Sequence, residues 1–106
     1  MRQADLRKSY IWRSNLRNVD LWRADLREAD LWETDLEGAD LRRADLRYAD
    51  LRNANLVNTD LRGANLRGVK HLTFKQISKA MLDSKQKEFL EEKYSRSDDD
   101  RLEETD

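Results

Sequence analysis

The chain has no cysteine, a single histidine and only three glycines among its 106 residues, and it has no long apolar run. The absence of cysteine excludes disulfides, thiol nucleophiles and cysteine metal sites, and suits a reducing compartment. With His71 alone, and with carboxylates spread evenly rather than clustered, neither a catalytic constellation nor a metal-ligand set is visible, so no enzyme activity, cofactor or metal is expected. No segment approaches the roughly 20 apolar residues of a membrane span, and the N-terminus MRQADLRKSY lacks the apolar stretch of a signal peptide. A cytoplasmic location is therefore expected. Neither sign of charge is in excess, since 21 basic and 22 acidic residues leave a net charge of -1. Only 38% of the chain is hydrophobic against 41% charged, too little apolar surface for a conventional core of this size.

What the chain does have is a period of five. Large apolar centres fall at Leu6, Ile11, Leu16, Leu21 and on every fifth residue to Leu66. Two residues before each centre sits a small one, usually Ala. Asp or Asn directly precedes twelve of the thirteen centres, Tyr10 being the exception, and Arg usually follows. In a straight α-helix of about 100° per residue, a spacing of five smears the centres around the axis. In a straight strand it sends alternate centres to opposite faces. Only a chain that turns a corner every five residues points all of them at a common axis, which makes the fold a solenoid. All three glycines, Gly38, Gly63 and Gly68, lie two after a centre, as do Asn18, Asn53 and Asn58. A tight corner needs residues there that tolerate positive φ.

Tandem A(D/N)LXX units of this kind, running from Ala4 to Gly68, resemble the pentapeptide-repeat family. The resemblance implies an all-β solenoid, a right-handed quadrilateral β-helix with four five-residue sides and twenty residues per coil. On that basis residues 1–70 form about three and a quarter coils, 71–94 a short C-terminal α-helical cap, and 95–106 a disordered tail. The family often uses Phe at the centre, a choice this chain never makes.

With twenty residues per coil, columns of stacked residues follow directly. Arg7, Arg27, Arg47 and Arg67 form one outward column, a candidate anion-binding ladder for phosphates of nucleic acid or membrane. The alternative, favoured here, pairs each Arg with the Asp two positions earlier or on a neighbouring coil. Residues 1–68 hold 13 basic and 12 acidic groups, a difference of +1, which leaves little net field. Trp12, Trp22 and Trp32 all take outward positions. Trp12 and Trp32 should stack, with Arg52 below them in cation-π range. These four residues are the candidate protein-binding patch, because aromatics beside Arg are typical of interface hot spots.

Beyond Gly68 the repeat fails at His71 and Leu72. Thr73 with Gln76, and Asp83 with Gln86, predict capping boxes for two short helices. The first would carry Phe74, Ile77 and Met81 on one side, and the second Phe89, Leu90 and Tyr94. These are the candidate cap or dimer contacts, since an open β-helix end needs covering. The first coil has no equivalent cover, so either the chain is a fragment or another subunit closes it. A homodimer is expected, joined through that coil or through the tail helices.

Three functional readings remain at this level. The foremost is a scaffold or protein-interaction module with an unknown protein partner and no small-molecule substrate. A second follows from the resemblance, because the quinolone-resistance pentapeptide proteins protect DNA gyrase by imitating duplex DNA. The near-neutral repeat here is a poor mimic. The third is weak nucleic-acid binding through the Arg columns, disfavoured by the same neutrality.

Overall fold

A computed structural model of the chain describes residues 3–93, with side chains described for 3–90. Ten parallel β-bridges join residues twenty apart, from Asp5 with Asp25 to Asp50 with Lys70. The repeat therefore winds as a coil of four five-residue sides. Each side is extended only briefly around its Asp or Asn, so the pairing is a stack of single bridges and not of long strands. Three backbone hydrogen bonds per side tie one coil to the next. At Leu41 these are Leu41 N–H to Asp60 O (2.8 Å), Arg43 N–H to Arg62 O (3.1 Å) and Asp60 N–H to Ala39 O (2.9 Å).

The corners lie where the spacing predicts them. Every residue two after a centre has positive φ, from Lys8 at 59° to Gly68 at 71°. At each corner the centre's carbonyl accepts the N–H of the residue three further on, as Leu41 O does from Ala44 at 3.0 Å. Long side chains such as Arg43 and Tyr48 occupy corners as well as Gly and Asn. Their left-handed backbone costs roughly 1–2 kcal/mol each, and the turn bond together with the inter-coil bond holds them in it.

Centres and small residues fill the axis. Leu21, Leu26, Leu31, Leu36, Leu41, Leu46, Leu51 and Leu61 are essentially inaccessible, as are most of the alanines between them. Leu6, Ile11 and Leu16 of the first coil are only partly buried. Thr34 and Thr59 take small-residue slots, and their hydroxyls donate to the carbonyls of Ile11 (3.0 Å) and Leu36 (2.7 Å), which satisfies the buried polar atoms.

The repeat does not stop at His71; it absorbs one extra residue there. His71 has φ 59°, and Leu72 behind it is buried. Counting from Leu72 the period of five resumes at Ile77, which is buried, and at Leu82, which is packed against the core. Ala80, Met81 and Leu82 form a further degenerate unit. Met81 pairs with Asp60 in a parallel bridge and accepts the Leu61 N–H at 2.9 Å.

Two helices replace the sides between these units. Helix α1, Phe74–Ile77, starts from N-cap Thr73 in a reciprocal capping box with Gln76. Helix α2, Ser84–Lys93, starts from Asp83, whose N–H and carboxylate exchange 2.8 Å bonds with Gln86. Met81 therefore does not share a helical face with Phe74 and Ile77. The backbone at Asn58–Leu61 binds residues 79–81 through three backbone hydrogen bonds, and α1 ends before them. Tyr94 and the 95–106 segment lie outside the described residues. No described helix is long and apolar enough to cross a membrane.

Candidate interaction surface

The outward arginines do not form a free cationic ladder. The Arg7 guanidinium donates to both oxygens of Asp5 at 2.8 and 2.7 Å. Arg27 does the same with Asp25, Arg47 with Asp45, Arg42 with Asp40 and Arg62 with Asp60. The bidentate geometry follows from sequence, because residues two apart across an inward Leu project on the same outer face. Three of them also lie near the Asp of the next coil, Arg7 at 3.8 Å from Asp25, Arg27 at 3.8 Å from Asp45 and Arg42 at 3.9 Å from Asp60. The Arg7 hydrogen bonds hold the Asp5 carboxyl at a pKa of about 2. Asp25, Asp45 and Asp60 are lowered in the same way by Arg27, Arg47 and Arg62. Arg67 differs. Asn65 stands where the other units have Asp, and Arg67 makes no ion pair among the described residues.

Trp12 and Trp32 stack on the second side, ring centroids 5.1 Å apart and 9° from parallel. Trp12 remains 44% exposed, whereas Trp32 is half-buried. Arg52 is not the cation beneath the stack. Its guanidinium lies 3.0 Å from His71 Nε2 and 3.9 Å from Asp50, because the extra residue at the end of the coil brings the imidazole beside it. Arg13 takes the cationic role instead, 5.7 Å over the Trp32 ring and bonded through Nε to Glu33 at 2.8 Å. Trp22 lies on the fourth side under its own cation, Arg23, at 5.2 Å. The four residues of the candidate patch are thus not one site: Trp12 and Trp32 share a face, Arg52 borders it, and Trp22 faces the opposite way.

Two exposed tyrosines escaped the reading of the sequence. Tyr10 is 84% exposed and Tyr48 48%, and both line a groove of about 690 Å³ beside the Trp stack, together with Lys8, Glu28, Asp30, Asp50 and Lys70. The available signal was Tyr10 itself, the one centre-preceding residue that is neither Asp nor Asn.

At the other end of the stack, Ile77 and Leu90 are buried and Phe74 is partly buried against the last coil. Phe89 is half-exposed, and Met81 keeps 43% of its surface. A groove of about 720 Å³ separates α2 at Lys85, Gln86, Phe89 and Leu90 from residues 63–67. Gln76 and Gln86 do more than close the capping boxes that the sequence predicts. Gln76 Nε2 donates to Leu51 O and Ala54 O at 2.8 and 3.0 Å, and Gln86 Nε2 to Leu61 O and Ala64 O at 2.6 and 2.9 Å. The identical ten-residue spacing of the two boxes in the sequence was the clue.

Among the described residues no group of three or more His, Cys, Asp or Glu side chains is arranged to hold a metal.

Among curated proteins none matches the chain. Among solved structures it is similar to HetL, a pentapeptide repeat protein involved in heterocyst differentiation regulation in the cyanobacterium Nostoc sp. strain PCC 7120. That match has 44% identity and a TM-score of 0.55 over 65% of this chain, and it spans 33% of HetL's length. It is also similar to alr5209, a pentapeptide repeat protein of Nostoc PCC 7120, with 33% identity over 78% of this chain and 77% of that one and a TM-score of 0.44. The profile of pentapeptide repeats matches eight copies across residues 4–43 and 34–70. With more than half its length matched, the chain belongs to the pentapeptide-repeat family.

Proposed function

We propose that the chain is a non-enzymatic protein-interaction module, a right-handed quadrilateral β-helix over residues 1–70 closed by a helical cap over 71–94. The observation that carries this reading is the gathering of exposed aromatics, Tyr10, Trp12 and Tyr48, along one edge of the coil stack, on a surface otherwise built of paired charges. Exposed rings beside arginine are the chemistry of interface anchors. The regulatory role given for HetL supports a part played by binding rather than by catalysis. Imitation of DNA is disfavoured, since the carboxylates that would stand in for phosphates are neutralised by their own arginines. Nucleic-acid binding is disfavoured for the converse reason.

A pull-down from the source cell with the full chain tests the module. Capture of a defined partner should fall in Trp12→Ala and persist in Trp22→Ala, which alters the opposite face. Equal capture by both variants and the parent chain refutes the assignment of the face. Self-association is a further part of the reading, supported by half-exposed Phe89 beside the α2 groove. Light scattering of the parent chain and of Phe89→Ser checks it, with a dimer expected only for the parent.

A further inference from the structure

Every Asp or Asn that precedes a centre accepts, through Oδ1, the backbone N–H two residues on, from Arg7 on Asp5 to Arg67 on Asn65, with one exception. The exception is Asp30, whose Oδ1 is buried with no hydrogen-bond partner. Asp30 also lacks the usual guanidinium, because Trp32 stands where the other units place Arg. Beside it, Glu28 at the preceding corner is exposed and has no ion pair. Among the described residues neither of these two carboxylates makes an ion pair, whereas Asp5, Asp25, Glu33, Asp35, Glu37, Asp40, Asp45, Asp50 and Asp60 do. Both line the groove between Tyr10 and Tyr48, with Asp50 further along and Lys8 and Lys70 at its ends.

We propose that this groove is a docking site for an arginine side chain on a partner protein, with exposed Glu28 pairing the guanidinium, Asp30 adding its negative charge from the groove wall, and Tyr10 and Tyr48 flanking it. The arrangement repeats one the chain already makes for itself. Arg13 lies over the Trp32 ring while its Nε bonds Glu33, so carboxylate, ring and guanidinium come together on the adjoining side. A planar fork of donors suits two carboxylates and an aromatic face better than a lysine ammonium does. The groove, at about 690 Å³, has room for a peptide segment as well as one side chain. The assignment rests on the reading of the chain as an interaction module and names the chemistry its partner presents.

The test is a titration of the full chain, followed by amide NMR shifts, with the capped peptide Gly-Ser-Arg-Ser-Gly, its citrulline counterpart and free arginine amide. The arginine peptide should shift the amides of Glu28, Asp30 and Tyr48 saturably, with a Kd at or below the millimolar range typical of single contacts, about 1 mM. Citrulline should weaken binding at least tenfold, as should Glu28→Gln combined with Asp30→Asn. These substitutions keep the fold, since Glu28 is exposed and Asn already fills the Asp30 position at Asn15, Asn55 and Asn65. No saturable shift, equal binding of citrulline, or binding unchanged in the double variant overturns the proposal. Free arginine amide binding as tightly as the peptide overturns its assignment to a protein partner. A failed titration leaves the Trp12 pull-down to decide the module separately.

Discussion

Gln76→Glu isolates what holds the C-terminal segment on the coil stack. Gln76 Oε1 accepts the Thr73 N–H at 2.9 Å, a role that Glu fills equally well in a capping box. Its Nε2 donates to Leu51 O and Ala54 O at 2.8 and 3.0 Å. The substitution is isosteric, keeps the box and deletes those two donors, while placing a carboxylate oxygen against two carbonyls. Two hydrogen bonds at about 0.5–1.5 kcal/mol each give a loss of about 1–3 kcal/mol, before any repulsion is added. Urea melts followed by Trp fluorescence measure it. The deficit relative to the parent chain should shrink with falling pH. Pinned between carbonyl oxygens, the new carboxyl binds its proton more tightly in the folded chain than in the unfolded one, where its pKa is about 4.3. Once protonated it can donate again, so the folded state gains on acidification. A variant as stable as the parent at pH 7, or a deficit identical at pH 7 and pH 4, refutes the reasoning.

Other outcomes follow from the same geometry. Leu41→Ala, at a fully buried centre of the middle coils, should cost about 2–5 kcal/mol in urea melts. Arg42→Ala, which removes a partly exposed pair with Asp40, should cost no more than about 1 kcal/mol. Equal costs would reverse the inward and outward assignments. Arg43→Gly, at a corner with φ 61°, should raise the urea midpoint by relieving left-handed strain, and a lowered midpoint would show the corner to be unstrained. The aspartates lowered by their arginines, Asp5 to about 2 and Asp25, Asp45 and Asp60 in the same direction, contribute stability above the unfolded value of about 3.9. That contribution fades as pH falls through the folded values. The fall in urea midpoint between pH 5 and pH 2.5 should therefore be smaller in Asp25→Asn combined with Asp45→Asn, and an identical fall would show that the ladder does not govern acid stability.

Most of the architecture was legible because two of its requirements are written at every fifth residue. An inward Leu and a small residue two before it leave no alternative to a corner at the third remaining position, so even corners filled by Lys8 or Arg13 were located without a glycine to mark them. The Asp–Arg pairing was legible for the same reason, since the repeat fixes both residues on one outer face. Arg52 and Met81 were misplaced because both depend on a single event that periodicity hides: the extra residue at His71. It swings an imidazole onto Arg52 and shifts the later apolar residues to Leu72, Ile77 and Leu82, while Phe74, Ile77 and Met81, at i, i+3 and i+7, read in the sequence as one helical face.

The interaction surface was the least legible feature, and the cause is physical. In a repeat whose charges are neutralised in cis, the informative positions are those where the pairing is missing. Trp32 is an outward aromatic in the sequence, but it is also an Arg withheld from Asp30. Arg67 is one more basic residue in the sequence, but without a carboxylate at Asn65 it is a cation left over. A partner that recognises this chain has little to gain from an Asp–Arg pair already satisfied at 2.6–2.9 Å. It gains most where a carboxylate or a guanidinium lacks its counterpart and a ring lies alongside. Where the first side turns into the second those conditions meet at Glu28, Asp30, Tyr10 and Tyr48, whereas a partner that engaged one of the Asp–Arg pairs would first have to displace it.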